Sequence, residues 1–153
     1  MNKEIIKPFM ESTVDVLQTM AQVRAVPGKP RLKNEETADG DITGVIGMAS
    51  DRLKGSLAIS FTTAAIFDIA KRMLCEDLTE IDNTVTDLVG EITNIVTGGA
   101  KRVLADQGYD FDMATPAVAT GKNHRILHPY DGPKVVIPFS IDAGKFYVEI
   151  CFR

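Results

Sequence analysis

The sequence predicts an α+β fold in which helices pack on a mainly antiparallel sheet. Two observations carry that expectation. Apolar residues recur at helical spacing over residues 2–22 and again over the long segment between Asp82 and Gly108. Between and after these segments stand short runs rich in Ile, Val, Leu and Phe, joined by turn residues, that read as hairpins. At 153 residues the chain has the size of one domain, spanning 1–153, and is long enough to bury a core.

In the first helix, Ile5, Phe9, Val16, Met20 and Val23 repeat with helical period. Pro8 lacks a donor N–H, so the regular helix is expected to begin near it. A polar stretch from Val26 to Gly40, punctuated by Pro27, Gly28 and Pro30, follows as a connection, part of which could pair as a strand. Residues 41–48 and 54–62 form a hairpin around Ala49-Ser50-Asp51-Arg52. Thr62 and Thr63 can cap a second helix with Ile66, Phe67, Ile69, Ala70, Met73 and Leu74 on its apolar side. Asp82, Asn83 and Thr84 offer N-caps for the long third helix, which ends near Gly108. Residues 115–122, 134–141 and 145–152 read as strands, the last two joined by Asp142-Ala143-Gly144. Pro138 cannot donate to a sheet ladder, which predicts an edge or a bulge there.

Composition narrows the function classes. Apolar residues make up 44% and charged residues 25%, with a net charge of −4. An acidic surface repels phosphate backbones, which argues against nucleic acid and anionic membrane as partners. No apolar run reaches the roughly 20 residues that span a bilayer. Residues 1–8 lack the basic-then-apolar pattern of a secretion signal, so a cytoplasmic protein is expected. Cys75 and Cys151 fit no metal or redox spacing and read as reduced, half-buried thiols. His124 and His128 stand four apart, but in an irregular polar stretch with no third ligand nearby, so no metal site is expected. Local context suggests no Ser/His/Asp set either.

The informative segment is the third helix. Val85, Leu88, Val89, Ile92, Val96 and Val103 form one apolar stripe, and Asp87, Glu91, Asn94, Gly98, Lys101 and Arg102 fall on nearly the opposite face. Offsets of three and four make Asp87, Glu91 and Asn94 neighbours. A polar stripe of this kind is ordinarily only a solvated face. Two details argue for more: Asn competes for backbone hydrogen bonds inside a helix, and Gly90, Gly98 and Gly99 each weaken the helix by about 1 kcal/mol relative to Ala. Gly98 follows Asn94 by one turn, leaving the surface beside the amide bare for close approach of a partner.

Asp87-x-x-x-Glu91-x-x-Asn94, with Pro116 twenty-two residues beyond the Asn, resembles the signature of the CheC/CheX/FliY chemotaxis phosphatases. The CheX branch, with one site per dimeric chain, is the best match. Val45-Ile46-Gly47 leading to the strand Lys54–Phe61 is similar to the family's paired strands, and Ala114–Lys122 to the strand after its catalytic helix. Pro8–Thr13 is also typical of CheX-like chains. Relatives often carry two motifs, one per pseudo-symmetric half. Here Glu11-Ser12-Thr13-Val14 has Val where the amide would be, and that helix is expected to be silent.

The resemblance implies hydrolysis of the aspartyl phosphate on a phosphorylated CheY-like response regulator. Phosphoryl transfer has a loose transition state, so positioning a water matters more than a strong base. Asn94 has an acceptor and a donor with which to orient that water, while Glu91 can pair with a regulator lysine. Asp87, Gly98 and Lys101 are expected to contact the partner, with Asp87 in a lesser docking role, and Pro116 to shape the supporting strand. The chain is expected to bring no cofactor of its own, the Mg²⁺ being held by the regulator, and to form a homodimer through edge strands. The alternatives are a non-catalytic adaptor, the same chemistry on a regulator outside chemotaxis, and an assembly domain like those of the flagellar switch.

Overall fold

A computed structural model describes residues 3–153. In chain order the elements are α1 (Lys3–Ala21), β1 (Val26–Pro27), β2 (Arg31–Lys33), β3 (Ile42–Ala49), β4 (Lys54–Phe61), α2 (Thr63–Leu74), α3 (Asn83–Asp106), β5 (Asp112–Met113), β6 (Ala117–Thr120), β7 (Lys134–Ile141) and β8 (Gly144–Phe152). The α+β expectation holds: three helices pack on one face of an eight-stranded sheet in which every pairing is antiparallel.

Local chemistry sets most boundaries. Thr62 caps α2 by accepting from the Ala65 N–H at 3.4 Å, and Asp82 caps α3 by accepting from Val85 at 3.3 Å. Cys75 closes α2 in the left-handed conformation, φ 57°. Pro8 does not begin α1. The helix runs through it from Lys3, with the Pro8 ring buried. The missing donor costs one bond near the helix start, and burial of the ring beside Ile5 and Phe9 offsets that loss.

Two similar halves make the sheet. Each has a helix, a broken strand and a hairpin: α1, β1–β2 and β3–β4, then α3, β5–β6 and β7–β8. The broken strands are exchanged, since β1 and β2 pair with β7 of the second half while β5 and β6 pair with β3 of the first. The hairpins meet at β4 and β8, giving the order β1-β7-β8-β4-β3-β5. Strand β7 is therefore not an edge, and the edges are the broken strands themselves. Pro138 nevertheless explains a break. Its carbonyl accepts from the Gly28 N–H at 2.7 Å, so its donorless nitrogen faces the same neighbour. There Gly28 to Pro30 bulge between β1, paired at Phe139, and β2, paired at Val136.

Alternation divides the strands between two faces. Ile42, Ile46 and Met48, with Leu57, Ile59, Phe61, Phe146, Val148 and Ile150, face the helices and form the core with Phe9, Leu17, Ile66, Ile69, Val89, Ile92 and Val96. The other face carries Thr43, Ser56, Ser60 and Glu149, all buried. Segments 34–41 and 121–133 cover it, linked by a bridge between Thr37 and Arg125 and anchored by a small cluster of Ala38, Ala58 and Ile126.

A buried polar chain ties that cover to the sheet. Lys33 Nζ donates to Glu149 Oε2 at 2.9 Å, His128 Nε2 stands 2.8 Å from Glu149 Oε1, and His128 Nδ1 shares a hydrogen bond with Ser56 Oγ. Burial alone would raise the Glu149 carboxyl, but hydrogen bonds from His128 and Lys33, together with the Lys33 charge, outweigh it and hold the group below its ordinary value. Cys151, on the same sheet face, is fully buried, and burial raises its thiol; Cys75 is exposed. Neither cysteine is half-buried as the sequence suggested.

A carboxyl held low in the folded state stabilises the protein above its unfolded titration range, and the stabilisation is lost as pH falls through the folded value. Thermal midpoints measured against pH should therefore drop on the acid side in the wild type, with a flatter acid limb in Glu149→Gln. At neutral pH, Glu149→Gln leaves the buried Lys33 charge only the longer contact to Asp39 at 3.8 Å and should lose about 3 kcal/mol of stability. A variant as stable as the wild type at pH 7 would contradict this account of the tie.

Candidate active site

Helix α3 is rotated into place by its neighbours. Thr93 lies over Gly44 of β3, and a Cβ on that glycine would meet Thr93 Oγ1 at under 3.0 Å. Across the other flank, Ser12 of α1 donates to the Val96 carbonyl at 2.7 Å and sits against Gly99, where a Cβ would again come within 3.0 Å. Gly90 faces Val118 of β6 at an ordinary contact distance. The Thr93 and Thr97 hydroxyls, both wholly buried, donate to the carbonyls of Val89 and Thr93 one turn back, so the sheet-facing side leaves neither hydroxyl unpaired.

With that side pinned, the opposite face is set. Asp87, Glu91, Asn94 and Arg102 are exposed, and Gly98 and Lys101 are half-buried. The structure brings the sequence-predicted residues Asp87, Glu91, Asn94, Gly98 and Lys101 onto one outward strip. The apolar stripe departs from expectation at its end. Val103 is 42% exposed, and the buried series runs instead through Ala100 and Leu104. Steps of four from Val96 reach those two residues, and Val103 lies about 100° away from Leu104. Pro116 is half-buried just before β6, the edge strand that borders α3 at Gly90.

The strip makes no internal use of its charges. Among the described residues, nothing forms a hydrogen bond or ion pair with the side chains of Asp87, Glu91, Asn94 or Lys101. The other helices behave differently: Lys7 pairs with Glu11 on α1 at 3.7 Å, and Arg72 with Asp68 on α2 at 3.0 Å, both at i,i+4 spacing. On α3 the same spacing holds two acids, Asp87 and Glu91, an arrangement that weakens a helix by a few tenths of a kcal/mol. At the matching place on α1, Glu11 is engaged by Lys7, Ser12 and Thr13 are buried, and Val14 is half-buried. No amide is offered there.

Two other constellations resolve differently. His124 and His128 are separated in role: His124 bonds Thr43 Oγ1 and the Gly121 carbonyl, and His128 belongs to the buried tie described above. Ser56, His128 and Glu149 do form a Ser–His–acid chain, which sequence reasoning missed because its members are 72 and 21 residues apart. Its serine is wholly buried and the His128 side chain is 1% exposed, so no substrate reaches it. Among the described residues no group of three or more His, Cys, Asp and Glu is placed to hold a metal ion, and no helix is long and apolar enough to cross a membrane. A groove of about 650 Å³ lies beside β5 and β6, lined by Val45, Met113, Leu127, Pro129 and other residues, none of them from α3.

The fold and the strip define a helix-on-sheet protein that presents a carboxylate and an amide, one turn apart, on an exposed helix. Comparison with known proteins gives this class a family. Residues 42–140 match the family described as "Chemotaxis phosphatase CheX". A CheC-like superfamily protein from Shewanella sp. PV-4 is 53% identical, with a TM-score of 0.93 over 100% of this chain and 99% of that one. CheX in the CheX–CheY–BeF₃–Mg²⁺ complex from Borrelia burgdorferi is 27% identical, with a TM-score of 0.82 over 97% of each chain. The "CheY-P phosphatase CheX" of Thermotoga maritima is 21% identical over 82% of this chain and 81% of its own length. The chain belongs to the CheX family of chemotaxis phosphatases.

If the seat of α3 is as tight as Gly44 and Thr93 imply, Gly44→Val should overpack it and lose about 1–3 kcal/mol. Asn94→Ala, at an exposed position, should stay within about 0.5 kcal/mol of wild type. Chemical unfolding of both variants checks this pair; equal stabilities would refute the close seat.

Proposed function

We propose that this chain accelerates hydrolysis of the aspartyl phosphate on a CheY-like response regulator, with Asn94 orienting the attacking water and Glu91 docking the regulator. The observation that carries this reading is the placement of the acid–amide pair. Both side chains stand free on an outward helix face rather than in a cleft. A small substrate would find nothing there to surround it. A protein substrate with a recessed phosphoryl group brings its own enclosure, and an exposed helix can enter it.

The chemistry asks little more of this chain. Phosphoryl transfer needs a water held in line with the breaking P–O bond and compensation for charge on the phosphoryl oxygens. The Asn94 amide can accept from and donate to a water without removing its proton. Mg²⁺ and the basic groups around the phosphate belong to the regulator, the substrate of the reaction. Glu91, one turn before Asn94, offers a carboxylate to a regulator ammonium group, and Asp87 adds negative charge one turn further back. The repulsion between these two acids is relieved when a cation docks. Support from relatives comes from the CheX–CheY complex and from the curated CheY-P phosphatase.

The two central residues are separable. Asn94→Ala should bind a regulator carrying a stable phosphoryl mimic almost normally, yet turn over about 10²–10³-fold more slowly. Glu91→Ala should raise the half-saturating regulator concentration, and the wild-type interaction should weaken as salt rises. Binding isotherms beside saturation kinetics make the test. Regulator binding without any acceleration by the wild type would make the protein an adaptor.

The protein is also expected to be a homodimer joined through edge strands. Both edges are suited to such a contact: the β5–β6 edge borders an apolar groove with Leu127 66% exposed, and the β1–β2 edge borders another with Leu32 71% exposed. Sedimentation at micromolar concentration should show a dimer that either Leu127→Asp or Leu32→Asp weakens, the sensitive variant marking the edge in contact. A wild-type monomer under those conditions would count against it.

A further inference from the structure

We infer that Gly98 is a specificity-determining residue of this face, a bare turn of α3 over which the wall of the partner's phosphorylation pocket must pass for Asn94 to reach its water. The inference rests on the phosphatase reading above and adds to it the steric condition for docking.

Of the three glycines in α3, two have neighbours within the chain. Gly99 meets Ser12 so closely that a Cβ would clash, and Gly90 faces Val118, 3.6 Å from where its Cβ would lie. At Gly98 an added Cβ would meet nothing within 4 Å. Its backbone needs no glycine either, because the only glycines at positive φ are Gly108, Gly121 and Gly132 among the described residues. An added Cβ meets nothing inside the chain at this position, and alanine there would strengthen the helix. The reason for the glycine therefore lies outside the chain.

Geometry says what that reason is. Gly98 follows Asn94 by four residues and shares its outward strip, with Glu91 and Asp87 in line behind. Helical Cα–Cβ bonds tilt toward the N-terminus, so a side chain at 98 would lean back over Asn94. The Asn94 amide is short, and placing a water against a recessed phosphoryl group requires the α3 backbone itself to come close to the partner. A side chain leaning over the amide would stand in that approach. The fitting partner surface is a rim of main chain or small residues beside the phosphoryl group, since only these pack against a bare helical turn. A regulator with a bulky rim would be excluded.

The test compares wild type, Gly98→Ala and Gly98→Leu, using a CheY-like regulator phosphorylated on its aspartate. Gly98→Ala should melt about 2–4 °C higher than wild type, as expected for a helical glycine whose Cβ position is open and which has no internal role. Gly98→Leu should raise the half-saturating regulator concentration about tenfold or more, with Gly98→Ala between it and wild type. In both variants the rate at saturation should hold within about threefold, which marks a docking effect rather than lost chemistry. A lower melting point for Gly98→Ala would overturn the inference by showing that the glycine serves the fold. So would a Leu variant that saturates like wild type. If wild type itself fails to accelerate phosphoryl loss while Asn94→Ala behaves identically, the phosphatase reading has failed and this inference falls with it.

Discussion

Where α3 crosses β3, Thr93 rests on Gly44 with no room for even one added carbon, and the outward face of α3 depends on that seat. A helix lying on a sheet can slide or roll unless something fixes its rotation. Here two close approaches do so, Thr93 on Gly44 beneath and Gly99 against Ser12 at the side. Close-packed interiors deform little, so the positions of Glu91 and Asn94 follow from buried residues on the far side of their own helix. The exposed strip is left free to be chosen for chemistry. It carries an unhelpful pair of acids, an asparagine and a bare glycine, all poor choices for stability in an exposed helix.

The exchange of broken strands between the halves explains why one sheet supports both helices. Neither hairpin has a wide enough sheet alone, and each gains its outer neighbour from the other half. The two helices then pack side by side on a shared floor, α1 supplying Ser12 to α3. Similar halves need not have similar chemistry. Val14 occupies the place of an amide on α1, and Lys7 already engages Glu11, so α1 serves as a buttress.

The opposite sheet face is held by different physics. Its cover has little apolar area to bury, with only Ala38, Ala58 and Ile126 at its centre. Polar ties take over: Lys33, Glu149, His128 and Ser56 form one chain, and Thr43 bonds both Ser60 and His124 in another. Such ties add direction more than energy, since each buried charge must first lose its water. They hold segment 121–133 in one place, and with it Leu127, Pro129 and Tyr130, which wall the groove beside the β5–β6 edge.

What could be read from the chain was whatever local chemistry decides. The Thr62 and Asp82 caps, the β3–β4 hairpin and strands β7 and β8 lie within a residue or two of expectation, because caps, turns and alternation act over a few residues. The strip Asp87, Glu91, Asn94, Gly98, Lys101 was legible for the same reason, since helical period alone places it on one face. Where the reading failed, long-range packing had outweighed a local rule. Core burial carries α1 through Pro8, and the turn of α3 brings Leu104 inward in place of Val103; at Pro138 an exchanged strand removes the edge, while the bulge appears in that neighbouring strand. The Ser56–His128–Glu149 chain and the differing burial of Cys75 and Cys151 left no local trace at all. The sequence by itself determined which residues share a helix face and which segments extend, because those follow from bond geometry over one or two turns. Only the tertiary structure decided that Gly99 is filled from within while Gly98 stays open, because that depends on which distant side chain arrives beside each.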